Sequence, residues 1–122
     1  MIQSNIALIL FITGGITASM ILQFFAPRLY LKTFNQLDVS DPVGLFFARF
    51  WALMVGLVGA LLIWAGMEPS ARGAVIAVAA VGKGIFVAFL LTNFRAFARG
   101  YMLVIVFDAT CVVLYSLYLL GY

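Results

Sequence analysis

Four apolar runs, each about as long as a helix must be to cross a lipid bilayer, fill most of this chain and leave only short polar breaks between them. A spanning helix needs about 20 predominantly apolar residues. The runs cover positions 6–25, 43–65, 73–91 and 101–120. Pro27-Arg28 ends the first, and Asp41-Pro42 opens the second, with Asp41 suited to cap a helix and Pro42 to occupy its first turn. A tight connection from 66 to 72, with Pro69 placed to open a helix, separates the second from the third. Within lipid, backbone N–H and C=O groups need partners inside their own segment, so each run reads as helical. Short connections make consecutive helices neighbours. The expected fold is therefore all-α, an integral membrane four-helix up-and-down bundle in which 1–122 form a single transmembrane domain.

Composition closes off the alternatives. Hydrophobic residues make up 66% of the 122 and charged residues 9%, whereas soluble domains run at roughly 45–50% and about 25%. Too few charges remain to coat a water-soluble surface. The chain has no histidine, which removes imidazole-ligated haem, histidine-containing metal sites and Ser-His or Cys-His relays. Its single cysteine, Cys111, permits no internal disulfide, and within an apolar run it is expected to behave as a small hydrophobe. The chain is read as no enzyme, with no catalytic residue, cofactor or metal. The net charge is +3, but the basic residues flank apolar runs, where they set topology rather than bind nucleic acid.

Orientation follows from those cations. Arg28, Lys32 and Arg49 flank the first connection and Arg95 and Arg99 the third, whereas the second holds only Arg72 and the tails hold none. The positive-inside rule then makes connections 26–42 and 92–100 cytoplasmic and leaves both termini outside. Residues 1–5 carry no Lys or Arg, and the following run is longer than a secretory signal core. Both cytoplasmic connections show helical patterning at headgroup level. Tyr30, Phe34 and Leu37 share one face with Arg28, Lys32 and Gln36 on another, and Phe94, Phe97 and Tyr101 repeat it with Arg95 and Arg99 opposite. Membrane lipids are the expected partners there, through ordinary aromatic and arginine anchoring.

Ionisable residues inside spans are rare enough to mark candidate sites. Arg49 lies in the second span, Lys83 near the middle of the third and Asp108 in the fourth. Helical spacing puts Arg49 with Ala52, Gly56 and Gly59, and Lys83 with Ala79 and Ala80; small residues mark the sides on which membrane helices approach. Asp108 aligns with Tyr101, Cys111 and Tyr115, and the first span offers Gly15, Ser19 and Gln23. A buried polar cluster of Gln23, Arg49, Lys83, Asp108 and Tyr115 is expected. In a structural role, Lys83 or Arg49 bridges Asp108 and fixes helix register. In a functional role, two cations facing one carboxylate require Arg49 to reach the headgroups, Lys83 to shed its proton, or an outside anion to fill the gap. Pairs of small residues four apart, such as Gly14 with Ala18 and Ala52 with Gly56, are expected to pack the bundle or to meet a second copy or another subunit.

In size, in its four closely spaced spans, in the stretch Phe46-Phe47-Ala48-Arg49-Phe50-Trp51-Ala52-Leu53, and in the Ala-rich third span carrying Lys83, the chain resembles the small four-helix bacterial membrane proteins grouped around DoxX. The resemblance covers the whole chain as architecture. It implies mainly a fold, and with it a bacterial inner (cytoplasmic) membrane location. Three functions stay open. One is a non-catalytic accessory or interaction subunit docking on a larger membrane complex, or pairing as a homo-oligomer. Another is a lipid- or quinone-like ligand site, with Phe46, Trp51 and Tyr115 as its wall and Arg49 or Lys83 at the polar head. The third is a small proton-coupled transporter built on Lys83 and Asp108.

Overall fold

The computed structural model describes residues 2–122, apart from the side chains at 94 and 96–99. It is all-α. The helices are α1 (Ile6–Ala18), α2 (Ile21–Phe25), α3 (Pro27–Phe34), α4 (Pro42–Met67), α5 (Arg72–Thr92) and α6 (Phe94–Leu119). Four stretches are long and apolar enough to cross a membrane: Gln3–Phe25, Pro42–Met67, Pro69–Thr92 and Gly100–Leu119.

Local chemistry sets the boundaries. The Asp41 carboxylate accepts the Gly44 backbone N–H at 2.7 Å and Pro42 sits in the first turn, so α4 starts where an orphan donor and a fixed φ are both accommodated. At the far end of α4, Arg72 donates to the carbonyls of Ala65 and Gly66, both at 2.8 Å, and supplies partners and positive charge to a helix C-terminus. Glu68 accepts from the Ser70 hydroxyl at 2.9 Å and steadies the short turn Pro69–Ala71 that leads into α5.

One expectation needs correction, and two connections gain detail. The first span is not one continuous helix: it breaks at Ser19–Met20, where Met20 N–H bonds to Thr17 and Gln23 N–H to Met20, three residues back. Thr17 and Ser19 hydroxyls also donate to the carbonyls of Thr13 and Ile16, and this competition for helix acceptors loosens the ladder. Between α5 and α6 the backbone leaves helix only in a turn at Asn93, so the first turns of α6 form the third connection and the fourth apolar stretch starts at Gly100, against an expected 101. The patterning suggested there for Phe94, Phe97 and Arg99 falls on side chains outside the described residues. Finally, α3 ends at Phe34, with Gln36 in the left-handed region at φ 55°. Leu31 on α3 and Asn35 just beyond its end are buried, while Phe34 is exposed and Leu37 lies past the end of the helix.

Packing follows from small residues. α1 lies along α4 and α5 along α6, with α4 against α5 joining the two pairs. A Cβ on Gly59 would run into the backbone of Ala18 and stand 2.7 Å from the Gly14 carbonyl oxygen, so the α1–α4 crossing requires glycine there. The apolar core gathers Ile6 and Leu10 of α1, Leu62 and Ala65 of α4, Ile76 and Ala79 of α5, and Cys111 and Tyr115 of α6. Gln3 donates through its backbone N–H to Tyr122 and through its side chain to the Tyr118 carbonyl, tying the two chain ends together. Asn35 donates to the Gly100 carbonyl at 3.1 Å and ties the first connection to the start of α6. No more than 28% of the most apolar stretch of any span is buried, and Leu8, Ile12, Val78, Val81, Leu103 and Val113 all point outward.

Candidate functional site

The polar centre of the molecule is built from one side of three helices. On α5 the buried positions Ile76, Ala79, Lys83 and Leu90 follow helical spacing; on α6 they are Ile105, Asp108, Cys111 and Tyr115; on α1, Ile6, Leu10, Thr13 and Thr17. On α1 the apolar positions lie nearer the chain terminus and Thr13 and Thr17 toward the middle, on α5 Lys83 lies between apolar positions, and on α6 apolar Ile105 sits at the opposite end, with Asp108, Cys111 and Tyr115 running toward the terminus.

Lys83 Nζ donates to Asp108 Oδ1 at 2.7 Å and to Thr17 Oγ1 at 3.1 Å, and it stands 4.9 Å from the centre of the Phe107 ring. An ammonium has three protons, and each finds a partner here: a carboxylate, a hydroxyl and an aromatic face. Lys83 is 8% exposed and Asp108 6%. The Thr17 hydroxyl in turn donates to the Thr13 carbonyl at 2.7 Å. Thr13 donates to the Ile9 carbonyl at 2.7 Å, so the Tyr115 hydroxyl, 2.6 Å away, is the donor to Thr13 Oγ1. Hydrogen bonds thus link Asp108 through Lys83 and Thr17 to the Thr13 backbone carbonyl, and the Thr13 hydroxyl makes the separate bond to Tyr115. Among the described residues no buried side-chain nitrogen or oxygen lacks a partner. The network's acceptors and donors are satisfied internally, so it ties α1, α5 and α6 in one register.

The five residues expected to cluster separate into two groups. Lys83, Asp108 and Tyr115 belong to the network. Gln23 is buried but lies elsewhere, donating to the Ala48 carbonyl of α4 at 2.8 Å. Arg49 does not join either: it is exposed, donates from Nε to the Phe24 carbonyl at 2.9 Å and stacks over the Phe24 ring at 5.4 Å. That carbonyl is left free where α2 ends before Pro27, and a guanidinium is well suited to a helix C-terminus. With Arg49 outside, the imbalance of two cations against one carboxylate disappears. Sequence reading missed Thr13 and Thr17. Their i, i+4 spacing in line with Ile6 and Leu10 is the available signal; Gly15 and Ser19, the positions expected to face inward, are exposed.

The Tyr115 link is testable by itself. Tyr115→Phe keeps the ring in the core and removes one hydrogen bond, so it should lower stability by about 1 kcal/mol, the usual net worth of such a bond. Thermal or denaturant unfolding in detergent reads it, and a loss several times larger would mean that the network is cooperative beyond this link.

The residues proposed as a ligand wall do not meet in one place. Phe46 is exposed, and Tyr115 is sealed in the core. Trp51 packs on Phe86 with ring centres 5.0 Å apart and lines a separate open groove with Phe86, Phe89, Leu90, Asn93 and Tyr101. Among the described residues no group of three His, Cys, Asp or Glu could hold a metal. Compared with protein-family models, curated proteins and solved structures, the chain has no match.

Proposed function

We propose that this chain is a non-catalytic integral membrane protein, an up-and-down bundle of four spanning segments that acts as an accessory or interaction subunit of a larger membrane complex. The observation that carries it is the closed Lys83–Asp108 network. The ionisable groups inside the bundle are engaged with one another and with Thr17, so they hold helices rather than present a reaction centre. The outer surface, by contrast, is broad and apolar on every span, and contiguous apolar surface of this extent marks lipid or protein contact.

Orientation rests on charge. Arg28, Lys32, Arg49 and Arg95 are exposed and belong to the first connection, the start of α4 and the start of α6, and the Asn35–Gly100 tie holds the first connection to α6. The proposal places this end in the cytoplasm and the tied chain termini outside, in a bacterial inner membrane.

Membranes solubilised in mild detergent and separated as native complexes test the role. The tagged chain should migrate with another membrane protein in fixed proportion. Migration as an isolated species across several mild detergents would contradict it.

A further inference from the structure

The groove between α4, α5 and α6 carries a reading of its own. Trp51, Phe86, Phe89, Leu90, Asn93 and Tyr101 line an open groove of about 380 Å³, near the lower end of the roughly 300–1,000 Å³ usual for small-ligand sites. Its wall is aromatic: Phe86 stands 5.0 Å from Trp51 and 6.4 Å from Tyr101, ring centre to ring centre. Leu90 forms a buried floor, and Phe89 and Trp51 are exposed at the lip. Asn93 ends the groove, and two residues on, in the first turn of α6, Arg95 is exposed.

We propose that this groove holds an acyl chain of an anionic phospholipid, with the lipid phosphate met by Arg95. The slot is apolar along its length and ends at the cationic end of the bundle. There Lys32 and Arg95 add to Arg28, which stands 3.9 Å from Asp38, and to Arg49, which is held on the Phe24 carbonyl, against the carboxylates of Asp38 and Asp41. Neutral lipid matches the slot but not the charge. A phosphate that carries net negative charge matches both, and an arginine is the residue type that meets phosphate with paired donors. The inference rests on the membrane-spanning reading and not on the accessory role.

Trp51 is itself the probe. With Trp64→Phe, Trp51 is the sole tryptophan, and bromine on a lipid acyl chain quenches it only on close approach. The protein is reconstituted in phosphatidylcholine vesicles containing increasing fractions of brominated phosphatidylglycerol or brominated phosphatidylcholine. Phosphatidylglycerol should be preferred at Trp51 by about five-fold, the factor expected of one arginine at a lipid surface. Arg95→Gln should bring the preference close to one, whereas Arg28→Gln, with the same change in net charge, should retain it. Equal quenching by both lipids overturns the groove assignment and leaves the membrane reading standing. An equal loss in the Arg28→Gln and Arg95→Gln proteins also overturns it, since the preference would then reflect net charge. Absence of quenching by either lipid overturns the groove and the membrane reading together.

Discussion

Lys83→Met should be the most destabilising single substitution in the polar centre. The change leaves Asp108 as a buried carboxylate without its cation, and Thr17 without the donor it accepts from. Breaking one side of a buried ion pair costs about 3–5 kcal/mol in soluble proteins; water defects and snorkelling lower the figure in a membrane. Replacing both partners, as Lys83→Met with Asp108→Leu, removes the stranded charge and fills similar volume with apolar atoms, so it should recover most of the loss. Unfolding of the two single variants and the double variant in detergent gives the coupling directly. A double variant as unstable as the two singles added together would show that the pair contributes no coupling and that the helices are registered by packing alone.

Gly59→Ala carries the second large effect. The new methyl meets helix backbone, the amide of Ala18 and the carbonyl of Gly14, neither of which can turn aside as a side chain can. α1 and α4 must separate, opening the core at Leu10 and Leu62. Overpacking of this kind costs about 1–3 kcal/mol, and the upper end is expected where backbone faces backbone. Gly15→Ala serves as the contrast. A methyl there meets nothing within 4 Å, and alanine favours helix by about 1 kcal/mol over glycine, so that variant should be no less stable than the parent. Equal losses at the two glycines would mean that α1 and α4 do not cross at Gly59.

The sequence exposed the spans because a polypeptide that cannot hydrate its backbone has few options, and run length reports the crossing. It also exposed Asp41 and Pro42 as the start of α4, since capping needs only local geometry. Lys83 and Asp108 could be aligned because each lies on a regular helix whose small or polar neighbours mark its inner face. The first span defeated the same method. An i, i+4 stripe drawn through Gly15, Ser19 and Gln23 treats the helix as unbroken across Ser19–Met20, and so turns Gly15 and Ser19 inward in place of Thr13 and Thr17. Local hydroxyl-to-carbonyl bonds create that break, and hydrophobic periodicity does not register them. Arg49 went astray for a different reason. Its backbone position shares a line with buried Ala52, Gly56 and Gly59, yet a long side chain near a helix end can reach away from that line to a free carbonyl, here that of Phe24.

Substituted-cysteine labelling tests the four-span account most directly. In a Cys111→Ala background, single cysteines at Ser70, in the turn before α5, and at Ser40, in the first connection, are exposed to a membrane-impermeant maleimide on intact cells. The account predicts that Ser70→Cys labels on intact cells and Ser40→Cys labels only after the membrane is opened. Labelling of Ser40→Cys on intact cells, with Ser70→Cys protected or equally labelled, would contradict it.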